Sequence, residues 1–130
     1  LTSPLKQVIV MRTDLNMRKG KMVAQGAHAA MAFLSRNLKK NEVSGFYEIG
    51  LFPQEEKWLA ESFTKICVGA NSLEELEEIY TQASLAGLTV YMMEDNGATE
   101  FHGEKTKTCL CIGPNYSSQI DAITGHLKLL

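Results

Sequence analysis

The residues from Gln7 to Met11 (QVIVM) restrict the possible folds more than any others in the chain: they form a continuous β-branched apolar run that ends at Arg12 and Asp14. A half-exposed strand alternates apolar and polar residues, whereas a run without alternation belongs to a strand covered on both faces. Helices must then supply two covering layers. After the segment RTDLNMRKGK, the apolar positions Val23, Ala27, Ala30, Met31, Leu34 and Leu38 recur at three- and four-residue spacing, which predicts a helix over Lys21 to Leu38 with that stripe inward. The polar, Gly-containing stretch Lys39 to Gln54 interrupts the pattern before a short helix over Glu55 to Ser62 that carries the single Trp58.

Lys65 to Gly69 (KICVG) reads as a second strand. Ser72 followed by Glu75 makes a capping box for a helix with Leu73, Leu76, Ile79, Tyr80 and Ala83, and Gly87 stops it. Thr89 to Met93 is a third strand, Thr106 to Ile112 a fourth, and Ser117 to Leu127 a final helix. The alternation of strand and helix predicts right-handed parallel crossovers, while the connection between the last two strands is too short for one, so the fourth strand runs antiparallel. The expected fold is α/β: a single domain over residues 1–130, a three-layer α/β/α sandwich with a four-stranded mixed β-sheet and one strand antiparallel. Ligands of such sheets sit beyond the carboxyl ends of the parallel strands, which directs attention to the loops Arg12 to Lys21 and Glu94 to Lys105.

Thirteen basic and fifteen acidic side chains give a net charge of -2, so a nucleic-acid partner must be met by a local patch and not by overall charge. Three cysteines without a CxxC pair suggest neither a disulfide framework nor a zinc set, and fit a reducing, cytoplasmic compartment. The longest apolar stretches fall far short of a membrane span, although the start at Leu1 leaves room for an upstream targeting or anchor segment.

Arg18, Lys19 and Lys21 place three cations at a helix start, where the macrodipole disfavours them, so a bound phosphate would offset the cost; a solvated basic turn is the other reading. Lys21, Gln25 and His28 lie within about 60° of one another on one helix face. Gln25 and His28 are equally readable as polar residues bonding nearby carbonyls. Asp95, in the turn after strand three, brings a carboxylate to the same sheet end, where it either orients water or serves turn chemistry alone. Thr106 and Thr108 alternate on one face of strand four with Leu110 and Ile112, so one hydroxyl is expected near the site. No HxxxH, HExxH or GxSxG pattern occurs, so no metal, cofactor or serine-hydrolase elbow is expected, and Cys109 and Cys111 read as small core residues.

Taken in order, RTDLNMRKGKMVAQGAHAA (Arg12 to Ala30), DNGATE (Asp95 to Glu100), CIGP (Cys111 to Pro114) and TGHLKLL (Thr124 to Leu130) resemble the peptidyl-tRNA hydrolase type II family. The resemblance implies an enzyme that cleaves the ester between a peptide and the 3' ribose of tRNA by water attack without metal. By position it assigns Lys21 and Asp95 as catalytic residues and Gln25, His28, Thr99 and Thr108 as substrate-positioning ones. Arg18 and Lys19 are expected to hold tRNA phosphates. It also implies a homodimer, which the small-residue helix would permit. Glu94 and Ala98 stand where family members often carry basic residues, and the stretch Asn41 to Trp58 is longer and more aromatic than the usual connection. Those departures support an alternative, a family-like module that binds RNA or protein without hydrolysis.

Overall fold

A computed structural model describes residues 4–98 and 101–130. The sheet has the order β4-β1-β6-β5. Strand β1 spans Leu5–Arg12, β4 Lys65–Ala70, β5 Val90–Asp95 and β6 Thr106–Tyr116. Strand β1 pairs parallel with β4 and antiparallel with β6, which in turn pairs antiparallel with β5. The architecture is therefore the expected mixed sheet with β6 opposed to the other three strands.

Strand β1 shows why a run without alternation was needed. Val8 and Val10 pack with the aliphatic side chains beneath α3 (Leu73–Leu85) and α4 (Ser117–Thr124), while Ile9 and Met11 pack with those beneath α1 (Lys19–Ser35). Helix α3 starts as a capping box predicts: the Glu75 amide donates to Ser72 Oγ at 3.1 Å, but the Glu75 carboxylate reaches back one residue further, to the Asn71 amide at 2.7 Å. Beneath α3 and α4, Leu76, Leu110, Ile112 and Ile120 are fully buried, each contributing about 1.5–3 kcal/mol by removal from water.

Helix α1 departs from its expected orientation. Its buried residues are Gln25, Gly26, Ala29, Ala30, Ala32 and Phe33, whereas Val23 and Met31, from the expected inward stripe, are 72% and 59% exposed. Small residues let the helix lie close to the sheet, and Gln25 enters with its hydrogen bonds satisfied, so its burial is not penalised. The helix also stops at Ser35 and not at Leu38, because Asn37 Nδ2 donates to the Phe33 carbonyl at 2.7 Å and the chain turns into a short hairpin. That hairpin, β2 (Lys39–Lys40) with β3 (Tyr47–Glu48), was not readable from a polar stretch; α2 follows at Pro53–Ala60, two residues before its expected start. Trp58 on α2 is buried against Phe33 and donates its indole N–H to the Thr64 carbonyl at 2.9 Å, fixing α2 beside α1.

Candidate active site

The opening of the first loop, Arg12 to Asp14, is architectural. Arg12 forks onto Asp14, at 3.0 and 2.7 Å, and also donates to the Lys107 carbonyl on β6 at 3.0 Å. Thr13 joins the same loop to β4 through its amide and the Ala70 carbonyl at 2.8 Å. Together these contacts hold the chain where it leaves β1 and set the start of α1 above the sheet.

At that start, the cap residue is Arg18, which has no acceptor to offer, and the first turn contains no acidic side chain. The anion comes from β5 instead. Lys21 Nζ lies 2.9 Å from Asp95 Oδ1, with the two side chains only 14% and 12% exposed. Gln25, one turn along α1, donates from Nε2 to the same oxygen at 3.3 Å, and the Gly97 amide donates to Asp95 Oδ2 at 2.9 Å. Gly97 has φ +80, and a Cβ there would collide with the backbone of Glu104, so only glycine turns its amide back onto the carboxylate.

Thr108 completes the chain of contacts: its hydroxyl donates to Gln25 Oε1 at 2.5 Å, both side chains being buried. Simple alternation along β6 would place Thr108 with Leu110 and Ile112, beneath α3. The ladder shifts register here, Met93 pairing with Cys109 but Glu94 with Lys107, so Thr108 is the extra residue of a β-bulge. The bulge re-aims its side chain toward α1. With Oε1 taken by a donor, the Gln25 amide nitrogen faces the carboxylate, which can only accept.

The hydrogen bond from Lys21 holds the Asp95 carboxyl below its ordinary value of 3.8, partly opposed by desolvation and reinforced by the Gly97 amide and by the charges of Lys21 and His28. Asp95 is thus a carboxylate at neutral pH. Gln25, His28 and Asp95 line a cleft of about 400 Å³ together with Met93, Glu94 and Arg36. Phe101 flanks the ammonium, its ring centroid 5.7 Å from Lys21 Nζ. The arrangement offers an oriented carboxylate beside an ammonium, with the Gln25 amide and the His28 imidazole lining the same cleft as the carboxylate, a set suited to holding a carbonyl and a water.

The family described as Peptidyl-tRNA hydrolase PTH2 matches residues 5–130. Among relatives, the chain is 40% identical over 126 residues to the peptidyl-tRNA hydrolase of Methanothermobacter thermautotrophicus, covering 97% of this chain and 100% of that one. It is 42% identical over 127 residues to the enzyme of the same name from Methanocaldococcus jannaschii, with 97% and 100% covered. The chain belongs to the peptidyl-tRNA hydrolase family. A solved protein of unknown function from Agrobacterium tumefaciens shares the fold, with TM-score 0.57 at 11% identity over 96% of each chain.

Of the residues that the peptidyl-tRNA hydrolase resemblance singles out, Lys21, Gln25, Asp95 and Thr108 form one hydrogen-bonded chain, and exposed His28 lines its cleft. Arg18 and Lys19 are exposed at the start of α1. Thr99 lies outside the described residues. Reading the sequence alone missed Gly97, although an Asp two residues ahead of a Gly is an Asx-turn signal, and it missed Phe101 and Arg36, for which no local signal exists. Among the described residues, no three His, Cys, Asp or Glu side chains are grouped to hold a metal ion. Cys109 and Cys111 are buried on the α1 side of the sheet; desolvation raises the Cys109 thiol to about 12 and pushes Cys111 up as well, which keeps both protonated. No described helix is long and apolar enough to cross a membrane.

Proposed function

We propose that this chain hydrolyses the ester bond of peptidyl-tRNA in the cleft beside Lys21 and Asp95. Water adds to the acyl carbon, the bond to the ribose 3' oxygen breaks, one proton of the water ends on that oxygen, and the peptide leaves as a carboxylate with the other proton released to solvent. Asp95, whose carboxyl Lys21 holds below its ordinary value, orients the water through Oδ2. Lys21 keeps one donor bond on Asp95 and directs another to the oxyanion of the tetrahedral intermediate. Gln25, His28, Thr108 and Thr99 position the ester and the terminal nucleotide, Thr99 on the resemblance alone. Arg18 and Lys19, exposed at the helix start, take tRNA phosphates, which makes binding weaken with salt.

The observation that carries this reading is the direct contact, between residues 74 positions apart in sequence, of Lys21 with Asp95, which lines the cleft. Lys21→Ala and Asp95→Asn are each expected to slow release of free tRNA from peptidyl-tRNA by at least about tenfold, with circular dichroism and melting showing an intact fold. Binding of peptidyl-tRNA by the unaltered protein without release of tRNA would instead establish the non-hydrolytic module. We further propose a cytoplasmic homodimer, formed through the exposed α1 stripe of Val23, Ala27 and Met31, which borders an apolar groove of about 470 Å³.

A further inference from the structure

The two edges of the sheet are treated differently by the chain. Beyond β4, residues Lys128 to Leu130 pair with the outer edge: the Gly69 amide donates to the Lys128 carbonyl at 3.0 Å and the Leu130 amide to the Cys67 carbonyl at 3.0 Å. Beyond β5, no strand is present among the described residues. Thr89 turns its carbonyl toward β6, where it accepts from the Gly113 amide at 2.8 Å, so alternation leaves the backbone groups of Val90 and Met92 facing outward. The strand that carries this open edge ends at Asp95.

A second cavity, of about 620 Å³, lies along the other half of the same strand. It is lined by Thr89, by Tyr91 of β5, and by Ile49, Gly50 and Phe52 from the segment between β3 and α2. The catalytic cleft takes over at Met93, Glu94 and Asp95. Between the two stands Arg36, its guanidinium 5.3 Å from the centroid of the Tyr91 ring. The two cavities therefore flank successive stretches of the chain through β5, one at Thr89 and Tyr91 and the other from Met93 to Asp95.

We propose that the peptidyl part of the substrate binds as an added strand on the outer edge of β5, beside these two cavities. The proposal rests on the hydrolytic reading above, because it is the ester at Asp95 that fixes where the peptide begins. The esterified residue is the C-terminus of the peptide, so the peptide leaves the site toward Thr89 and runs parallel to β5. At about 3.3 Å per residue, the six-residue distance from Asp95 to Thr89 accommodates about six residues of peptide. Backbone pairing to Val90 and Met92 is indifferent to peptide sequence, which suits an enzyme that meets peptides of every composition. Alternate side chains fall into the cavity walled by Ile49, Gly50 and Phe52. The segment between β3 and α2 thus acquires a role as a wall of the peptide site.

The test compares kcat/KM for tRNA bearing a single N-acetylated residue with that for tRNA bearing a hexapeptide. The hexapeptide is expected to react about tenfold faster, the gain from a few backbone hydrogen bonds. N-methylation of the alternate amides that face Val90 and Met92 should remove most of that gain, and N-methylation displaced by one residue should not. Gly50→Trp should bring the ratio close to one; Gly50 is exposed and a Cβ there meets nothing within 4 Å, so the fold tolerates the change. Equal rates for the two substrates, or a hexapeptide advantage that survives both N-methylation patterns, would overturn strand addition while leaving the hydrolytic function standing. Failure to hydrolyse either substrate would overturn both.

Discussion

The two faces of the sheet are built by opposite rules. Beneath α3 and α4 the filling is aliphatic and closed, with Leu76, Ala83, Leu110, Ile112 and Ile120 all fully buried. Beneath α1 it is made of Met11, Met93, Cys109, Cys111 and small residues of the helix, and it includes the buried pair Gln25 and Thr108. The first face fastens the sheet. The second accepts a polar chain of contacts and a shallow cleft because a thin helix leaves room for them. A buried amide and hydroxyl are tolerated only where each satisfies the other, so stability and chemistry on that face depend on the same few hydrogen bonds.

This contrast can be attacked directly. Leu76→Ala, on the closed face, should cost about 2–5 kcal/mol by urea unfolding and leave kcat of the folded fraction unchanged; a matching fall in kcat would mean the faces are coupled. Thr108→Val should cost less, about 1–3 kcal/mol for the Gln25 carbonyl oxygen it orphans, yet it should lower kcat because the Gln25 amide no longer faces Asp95. Smaller again is the pH effect. The Asp95 pKa is depressed in the folded protein, so its stabilising contribution is complete above the ordinary value of 3.8 and is lost as pH falls through the lower folded value. Wild type and Asp95→Asn should therefore differ in melting temperature at neutral pH and converge in strong acid. Least disruptive of all, Met31→Gln on the exposed stripe should change monomer stability by no more than about 0.5 kcal/mol, while sedimentation reports loss of the dimer.

The strands and their order of direction were legible because β-branched runs and a short final connection leave few arrangements. Ser72 and Glu75 located α3 to the residue. The face of α1 was not legible, since apolar periodicity identifies a stripe without saying whether the sheet takes that stripe or the smaller residues beside it. Lys21 and Asp95 were readable as charges awaiting partners at one sheet end, and the structure joins them. The way Thr108 reaches them was hidden, because period-two alternation assumes a regular ladder and the bulge that redirects it exists only once β5 and β6 are paired.

The strip of chain from Lys128 to Leu130 along β4 has a consequence for handling the protein. Uncapped strand borders invite other copies to dock and propagate, and this strip is what blunts one of them. Detaching this strip would expose the Cys67 carbonyl and the Gly69 amide while hardly touching the interior, so its first symptom should be turbidity on storage, ahead of any fall in melting temperature.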